Sequence, residues 1–270
     1  MKKLNGSDLK FSLYAAFLWL VYLLAAMSPF MPTPPLSAQN RDFAYTYEAT
    51  TLPRDILQYR QWATWTWDKN KLDAVYDRVD FRHQLSYGVT HNWELGFYLS
   101  DWYYERGPSL SHDQTKWSNV ALESIWSLSD PFLDPFGSAL SGQVKLGEEL
   151  LALEGKLVLQ KNIGDFVLVY NAAIEAQWRS SADETDIGIV QQSAGLNYEP
   201  FQMLAFGVEL LSHITFENWN EHEEPTFYVG PVAALRERGW WVTVAPLFQT
   251  TGVGGAVNYN FRILVGVNLN

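Results

Sequence analysis

From Gln39 onward apolar and polar residues alternate with a period of two over segment after segment, the spacing that sends successive side chains to opposite faces of a β-strand. Over residues 76–89 the apolar set is Val79, Phe81, Leu85, Tyr87 and Val89, and the polar set is Arg78, Asp80, Arg82, Gln84 and Ser86. Over 93–103, Trp93, Leu95, Phe97, Leu99 and Tyr103 oppose Glu94, Gly96, Tyr98 and Ser100. Leu151, Leu153, Leu157 and Leu159 stand against Glu154, Lys156 and Gln160 in the same way. So do Leu204, Phe206, Val208, Leu210, Ile214 and Phe216 against Gly207, Glu209, His213 and Thr215.

The pattern predicts twelve strands, at 56–67, 75–89, 93–104, 116–129, 138–148, 151–161, 166–179, 187–199, 203–216, 226–236, 240–249 and 259–269. Their lengths exceed the roughly five or six residues of ordinary sheets and suit tilted strands that cross a bilayer. Short turns at 89–92, 161–165, 199–202 and 237–239 alternate with longer polar connections at 68–74, 105–115, 180–186, 217–225 and 250–258. Short periplasmic turns and long outer loops are the signature of a membrane barrel. Residues 130–137 are long for such a turn, and Glu149-Leu150 is short for a loop. An apolar outer face requires a closed sheet, because an open edge in lipid leaves backbone groups unpaired.

The first forty residues differ in kind. Lys2, Lys3 and Lys10 precede an apolar run from Phe11 to Met27, and a Pro-rich stretch leads to Leu36-Ser37-Ala38-Gln39, which reads as a signal peptide cleaved after Ala38. An uncleaved membrane anchor is the alternative. The expected organisation is a signal peptide at 1–38, a periplasmic segment or plug at 39–55, and a 12-stranded antiparallel transmembrane β-barrel at 56–270. Phe43, Tyr45 and Tyr47 lie before Leu52-Pro53 in the middle segment, which either enters the lumen or follows the periplasmic rim.

Composition narrows the function. With 19 Lys+Arg against 30 Asp+Glu the formal charge is -11, and loss of three Lys and one Asp with residues 1–38 takes it to -13. A phosphate backbone is bound through Lys and Arg, so nucleic acid is not an expected partner. The chain has no cysteine, which removes disulfides and thiolate metal sites. The 12 Trp, 14 Tyr and 15 Phe fit a barrel with aromatic girdles, expected from Trp65, Trp67, Tyr103 and Trp178 at one interface and Tyr87, Trp93, Tyr198 and Trp240 at the other.

If the apolar set meets lipid, the polar set lines the lumen. Its basic members are Arg60, Arg78, Arg82, Lys145, Lys156, Arg236 and Arg262, and its acidic members are Asp80, Glu94, Glu123, Glu154, Glu175 and Glu209, with His213 in addition. Neighbouring strands should set Arg78 and Arg82 beside Glu94, and Lys145 beside Glu154, and bring Arg60 and Arg262 together at the seam. This is either a mixed-charge constriction or a structural ladder of ion pairs, since charges taken from water must be paired. Twelve strands fall between side-chain-filled eight-stranded barrels and open 16–18-stranded porins, so the lumen should be narrow or partly plugged.

Catalysis and metal binding find little support in the sequence. Ser212 and His213 point to opposite faces of one strand and no Gly-x-Ser-x-Gly turn is present. His83 faces outward by parity, His91 lies in a turn, and His112 and His222 fall in loops. The acidic runs at 183–186 and 221–224 offer oxygen ligands but no defined metal spacing, and read as solvated loop charge. No cofactor, metal site or catalytic residue is expected.

The segment Leu85-Ser86-Tyr87-Gly88-Val89-Thr90-His91-Asn92-Trp93-Glu94-Leu95 resembles Gram-negative outer-membrane β-barrels, in which YGVT before a short turn and an ELG-like strand is common. With Glu48-Ala49-Thr50-Thr51-Leu52-Pro53 it is similar to the uncharacterised barrels and transporters related to the meta-pathway phenol-degradation proteins. The chain departs from such barrels at Val267-Asn268-Leu269-Asn270, which lacks a final aromatic. The resemblance implies Sec export, an outer-membrane location, and contact with outer-membrane lipids, lipopolysaccharide and the barrel-assembly machinery. The expected function is a narrow pore or passive transporter for a small solute whose identity the sequence leaves open. A non-conducting structural or surface-binding barrel and a lipid- or lipopolysaccharide-modifying hydrolase are the alternatives.

Overall fold

The computed structural model describes residues 40–69, 73–107, 110, 112–179, 186–219 and 221–270, with the backbone alone for 73–75. The signal peptide expected at 1–38 and the acidic residues Asp183 and Glu184 lie outside the described residues.

Twelve long strands form where the period-two pattern places them: β1 Leu57–Lys69, β2 Asp73–Gly88, β3 Trp93–Arg106, β4 Gln114–Ser129, β5 Gly137–Gly147, β6 Leu150–Ile163, β7 Phe166–Arg179, β8 Ile187–Phe201 and β9 Leu204–Glu217. The two-residue β10 Glu221–His222 folds back onto β9, and β11 Thr226–Glu237, β12 Trp240–Gln249 and β13 Val257–Asn268 follow. Each long strand pairs antiparallel with its neighbours, and β13 pairs with β1 from Asn268↔Gln58 to Val257↔Lys69, which closes the barrel. At the seam Leu269 N–H donates to Leu57 O at 2.8 Å, and the Asn270 side chain receives Leu57 N–H and donates to Asp55 O, both at 2.8 Å.

The barrel is inside-out relative to a soluble one. Phe97, Leu122, Leu140, Leu153, Leu168 and Leu210 are exposed on the outer wall, whereas Gln58, Arg60, Gln84, Glu94, Asn197 and Glu209 are wholly buried within. Such a wall is stable only against lipid, where the closed sheet satisfies every backbone group.

Register shifts interrupt the alternation in several strand pairs, and the one in β3 redirects side chains of the lumen. In β3 the register slips between Tyr98 and Asp101, a β-bulge that adds a residue and exchanges the two faces beyond it. Asp101 therefore turns inward to Arg82, and Tyr103 packs under the Arg78 guanidinium at 3.8 Å instead of joining the outer girdle. Trp102 takes the outer position, stacked on Phe81 at 4.3 Å.

The long connection Asp130–Phe136 is held by its own side chains. The Asp130 carboxylate accepts Phe132 N–H at 2.7 Å, and the Asp134 carboxylate accepts Asp130 N–H at 2.8 Å. It lies at the same end of the barrel as the tight turns, called below the turn end; the longer connections mark the loop end.

Candidate functional site: the lumen and the segment within it

Residues 40–56 lie inside the barrel, in the turn-end half of the lumen. Phe43, Ala49 and Leu52 are fully buried, and Arg41, Asp42 and Thr46 nearly so. The segment begins beside β8, β11 and β12, rises to mid-lumen at Ala44–Tyr47, and descends along β6 to meet β3 and the start of β1. Only at its end does its backbone pair with the barrel's, where Asp55 N–H donates to Gly88 O at 2.8 Å and Ile56 O accepts Gly88 N–H at 3.0 Å. Along Arg41–Leu52 the wall backbone is committed to the sheet, so wall side chains supply the partners.

Glu209 is the principal anchor. Its carboxylate accepts three consecutive backbone N–H groups, from Ala44 at 3.0 Å, Tyr45 at 3.0 Å and Thr46 at 2.9 Å. Successive N–H groups converging on one anion form a nest, and such charge-assisted bonds are stronger than neutral ones. Asn171 clamps both sides of Tyr47, accepting its N–H and donating to its carbonyl. Gln160 accepts Ala49 N–H at 2.8 Å, Glu94 accepts Leu52 N–H at 2.9 Å, and Asn197 donates to Asp42 O at 3.0 Å. Thr243 donates its hydroxyl to Arg41 O, and Arg262 donates to Ala44 O at 3.2 Å.

Two wall glycines are small where the segment passes. A Cβ on Gly195 would lie 2.3 Å from the Phe43 ring, and one on Gly88 would lie 2.0 Å from Pro53 O. Either added atom would force the segment off the wall.

The charges predicted for the lumen divide by height. At the turn end Arg60 pairs with Glu94 at 2.7 Å, both side chains fully buried, while Arg60 Nε donates to Gln58 at 2.6 Å. Arg236 bridges Asp42 at 3.0 Å and Glu199 at 3.3 Å. Glu123, at mid-height, receives Gln84 at 3.1 Å, the Tyr98 hydroxyl at 2.9 Å and Ser141 at 3.0 Å. Toward the loop end Arg82 pairs with Asp101 at 2.8 Å, and Lys145 with Glu175 at 2.7 Å and Glu154 at 3.4 Å. Lys156 holds Glu154 at 2.9 Å, and Arg78 holds Asp80 at 2.6 Å.

Arg78 and Arg82 thus do not meet Glu94, because Glu94 sits opposite Gly88 at the turn end while both arginines lie farther up β2. Arg60 and Arg262 do not crowd each other either. Arg262 sits higher on the seam, donates to Thr64 at 2.9 Å and covers the Tyr45 ring at 4.0 Å.

Burial and like charge act together on the segment's own acids. Asp42 is pushed well above the usual carboxylate range by burial first and by neighbouring Glu48 next, with Arg236 opposing. Burial pushes Glu48 up to about 7, opposed by the Asp42 N–H bond and reinforced by Glu199.

Above the segment the lumen is open. A chamber of about 300 Å³ has the Tyr45 and Tyr47 rings in its floor and Arg82, Lys145, Lys156 and Glu175 on its walls. It shares Tyr45, Gln191, His213 and Arg262 with an upper chamber of about 700 Å³ that reaches Glu223, Glu224 and Gly254 at the loops. Together they form a vestibule floored by residues 44–47.

The remaining histidines and aromatics lie elsewhere. His83 faces outward, bonded to the Tyr59 hydroxyl at 2.7 Å and to Trp102 Nε1–H at 3.3 Å, whereas His213 lines both chambers of the vestibule and meets Thr215 at 3.2 Å. Trp65, Trp67 and Tyr259 stack outside near the loop end, where Trp178 is also exposed. Near the turn end Tyr87 is exposed, Trp93 faces Trp126, Tyr198 sits between Phe166 and Phe206, and Trp240 shares an apolar cluster with Val242 and Val265. Among the described residues no group of three His, Asp or Glu side chains is placed to hold a metal ion.

The model of a family of unknown function, DUF6662, matches residues 36–263. The chain belongs to that family. No curated protein matches this DUF6662 chain in sequence. Among solved structures, the NanC porin is similar with a TM-score of 0.51 and 11% identity, covering 79% of this chain and 100% of the porin. A KdgM porin in complex with disordered oligogalacturonate gives 0.48 and 10%, covering 80% and 99%. The translocator domain of the autotransporter NalP from Neisseria meningitidis gives 0.45 and 10%, covering 78% and 86%. The NanC likeness shows that this DUF6662 chain folds as a closed antiparallel barrel resembling that of a porin, and it speaks to fold alone.

Proposed function

We propose that this protein is an outer-membrane barrel that receives small polar solutes in a vestibule at its loop end and controls their passage with residues 40–56. The observation that carries the reading is the nest of three N–H groups on Glu209, which seats a chain segment within the lumen. In this reading the turn end faces the periplasm and the protein reaches the outer membrane by Sec export. Its apolar wall contacts lipid and lipopolysaccharide, and the assembly machinery inserts it. The reading assigns it no covalent chemistry, no cofactor and no nucleic-acid partner, and the alternation of charge along the vestibule supports a solute binder over a hydrolase. The narrower likeness to the meta-pathway group, carried by residues 85–95 and 48–53, belongs to the same proposal.

A second reading is a sealed structural or surface-binding barrel. It draws on the number of wall side chains committed to the segment, which a permanent stopper would also show.

Osmotic swelling of proteoliposomes separates the two. Replacing Glu209 and Asn171 with Ala unseats the segment, and sugars or amino acids should then enter quickly. If a correctly folded double variant stays impermeable to every small solute, the channel reading fails and the sealed barrel stands.

A further inference from the structure

The two vestibule chambers carry charges that the protein itself does not neutralise, and these lie at opposite ends. At the rim, Glu223 and Glu224 line the upper chamber, and no cation of the described residues pairs with either. At the floor, Arg262 lines both chambers, and no carboxylate of the described residues pairs with it. Its Nε and Nη1 are taken by Thr64 and Ala44 O, which leaves the second terminal nitrogen for a ligand. Arg82, on the wall of the lower chamber, is paired through Nε with Asp101 but keeps a buried Nη2 without a partner. The other two wall cations are occupied, Lys145 by Glu154 and Glu175, and Lys156 by Glu154.

Between these poles the wall is amide and aromatic. Gln191 lines both chambers, Tyr228 and Asn260 the upper one, and the Tyr45 ring lies beneath Arg262. His213 stands within electrostatic reach of both Glu223 and Glu175.

We infer that the vestibule is a binding site for a small zwitterion, an amino-acid-like solute whose ammonium group meets Glu223 and Glu224 while its acid group reaches Arg262 and Arg82. An anion alone is repelled at the rim and a cation alone at the floor, so each end discriminates against the partner the other would accept. The volume suits a solute of amino-acid to dipeptide size within the usual range of small-molecule pockets. Charge-assisted bonds at both ends supply the orientation. The inference rests on the proposed solute-admitting function and names its solute class.

The test is calorimetric titration of the full-length protein, refolded in detergent at neutral pH and low salt, with ω-amino acids of three to eight carbons. The matching carboxylates and alkylamines serve as isosteric controls. At least one ω-amino acid should bind ten-fold or more tightly than both of its controls. Replacing Glu223 and Glu224 together with Gln, on a loop that does not touch residues 40–56, should reduce its affinity to that of the plain carboxylate. R262Q should reduce it to that of the alkylamine, and R262K should restore part of the loss.

Equal binding by a carboxylate or an amine overturns the inference, as does an unaltered affinity in the Glu223/Glu224 variant or no binding anywhere in the series. If flux appears on unseating the segment but no zwitterion binds, the inference fails and the channel reading survives. If a zwitterion binds but no variant passes solute, the channel reading fails and the site survives.

Discussion

The turn-end and loop-end halves of the lumen are walled by the same strands, yet only in the first do the wall's polar groups hold a second piece of chain. Below mid-height, Arg60, Glu94, Glu209 and Arg236 are each committed to a partner in the wall or in residues 40–56. Above it, Arg82, Lys145 and Lys156 also pair along the wall, but no partner segment fills the space, and Glu223, Glu224 and one nitrogen of Arg262 face an open chamber. The difference teaches that the wall does not by itself decide whether this barrel is full or open. The lower half is closed by a segment ten of whose backbone polar groups are met by wall side chains at the matching heights.

The sharpest break in this contrast comes at the buried Arg60–Glu94 pair. R60A leaves a carboxylate stranded in a fully buried site, at a cost of about 3–5 kcal/mol. A urea titration in detergent should show that loss, whereas R78Q, which breaks the half-buried Arg78–Asp80 pair at the loop end, should cost only about 1 kcal/mol.

Next in size is the seating of the segment. E209A orphans three N–H groups in a buried site, and at about 1–3 kcal/mol for each unmet group the seated state should lose several-fold to several-hundred-fold in population after water partly replaces the carboxylate. Hydrogen exchange at Ala44, Tyr45 and Thr46 should accelerate accordingly. G195A acts through sterics alone: with Phe43 only 2.3 Å from the new Cβ, overpacking should cost about 1–3 kcal/mol and speed the same amides without altering any charge.

The smallest effect is a pH dependence. Glu48 is faced by Arg41 and Asp42 on its own segment, Glu199 on β8 and Arg236 on β11. Its acidity is weakened in the seated state, so the protonated form favours seating. That contribution is complete below the ordinary value of 4.5 and is lost as pH rises through about 7. Opening should therefore become more frequent from pH 5 to 8, and E48Q should flatten the profile.

The twelve strands, the inward set and the closure could be read in the sequence because lipid outside and water inside impose one rule on every residue. Four features escaped that rule. The β3 bulge is a local insertion with no signature in the alternation, so Asp101 and Tyr103 exchange faces unannounced. The ion pairs depend on height, which strand stagger sets: Glu94 on β3 reaches past β2 to Arg60 on β1 and does not meet Arg78 or Arg82 of the β2 strand beside it. Residues 39–55 carry Phe43, Tyr45 and Tyr47 at spacing two, which resembles a strand, but their backbone is held by Glu209, Asn171 and Gln160, residues more than a hundred positions away. A period in sequence shows which side chains share a face; it does not show which distant side chains will receive the backbone. The unpaired poles of the vestibule were likewise hidden, since they are defined by which charges lack partners.

The most direct test of the central claim is single-channel conductance of the refolded protein in a planar bilayer, compared with the E209A/N171A variant. A segment that closes the lumen predicts a parent protein that is silent or opens rarely and a variant with long-lived, discrete conducting steps. Steady conductance in the parent, with steps of the same size and duration in the variant, would contradict it.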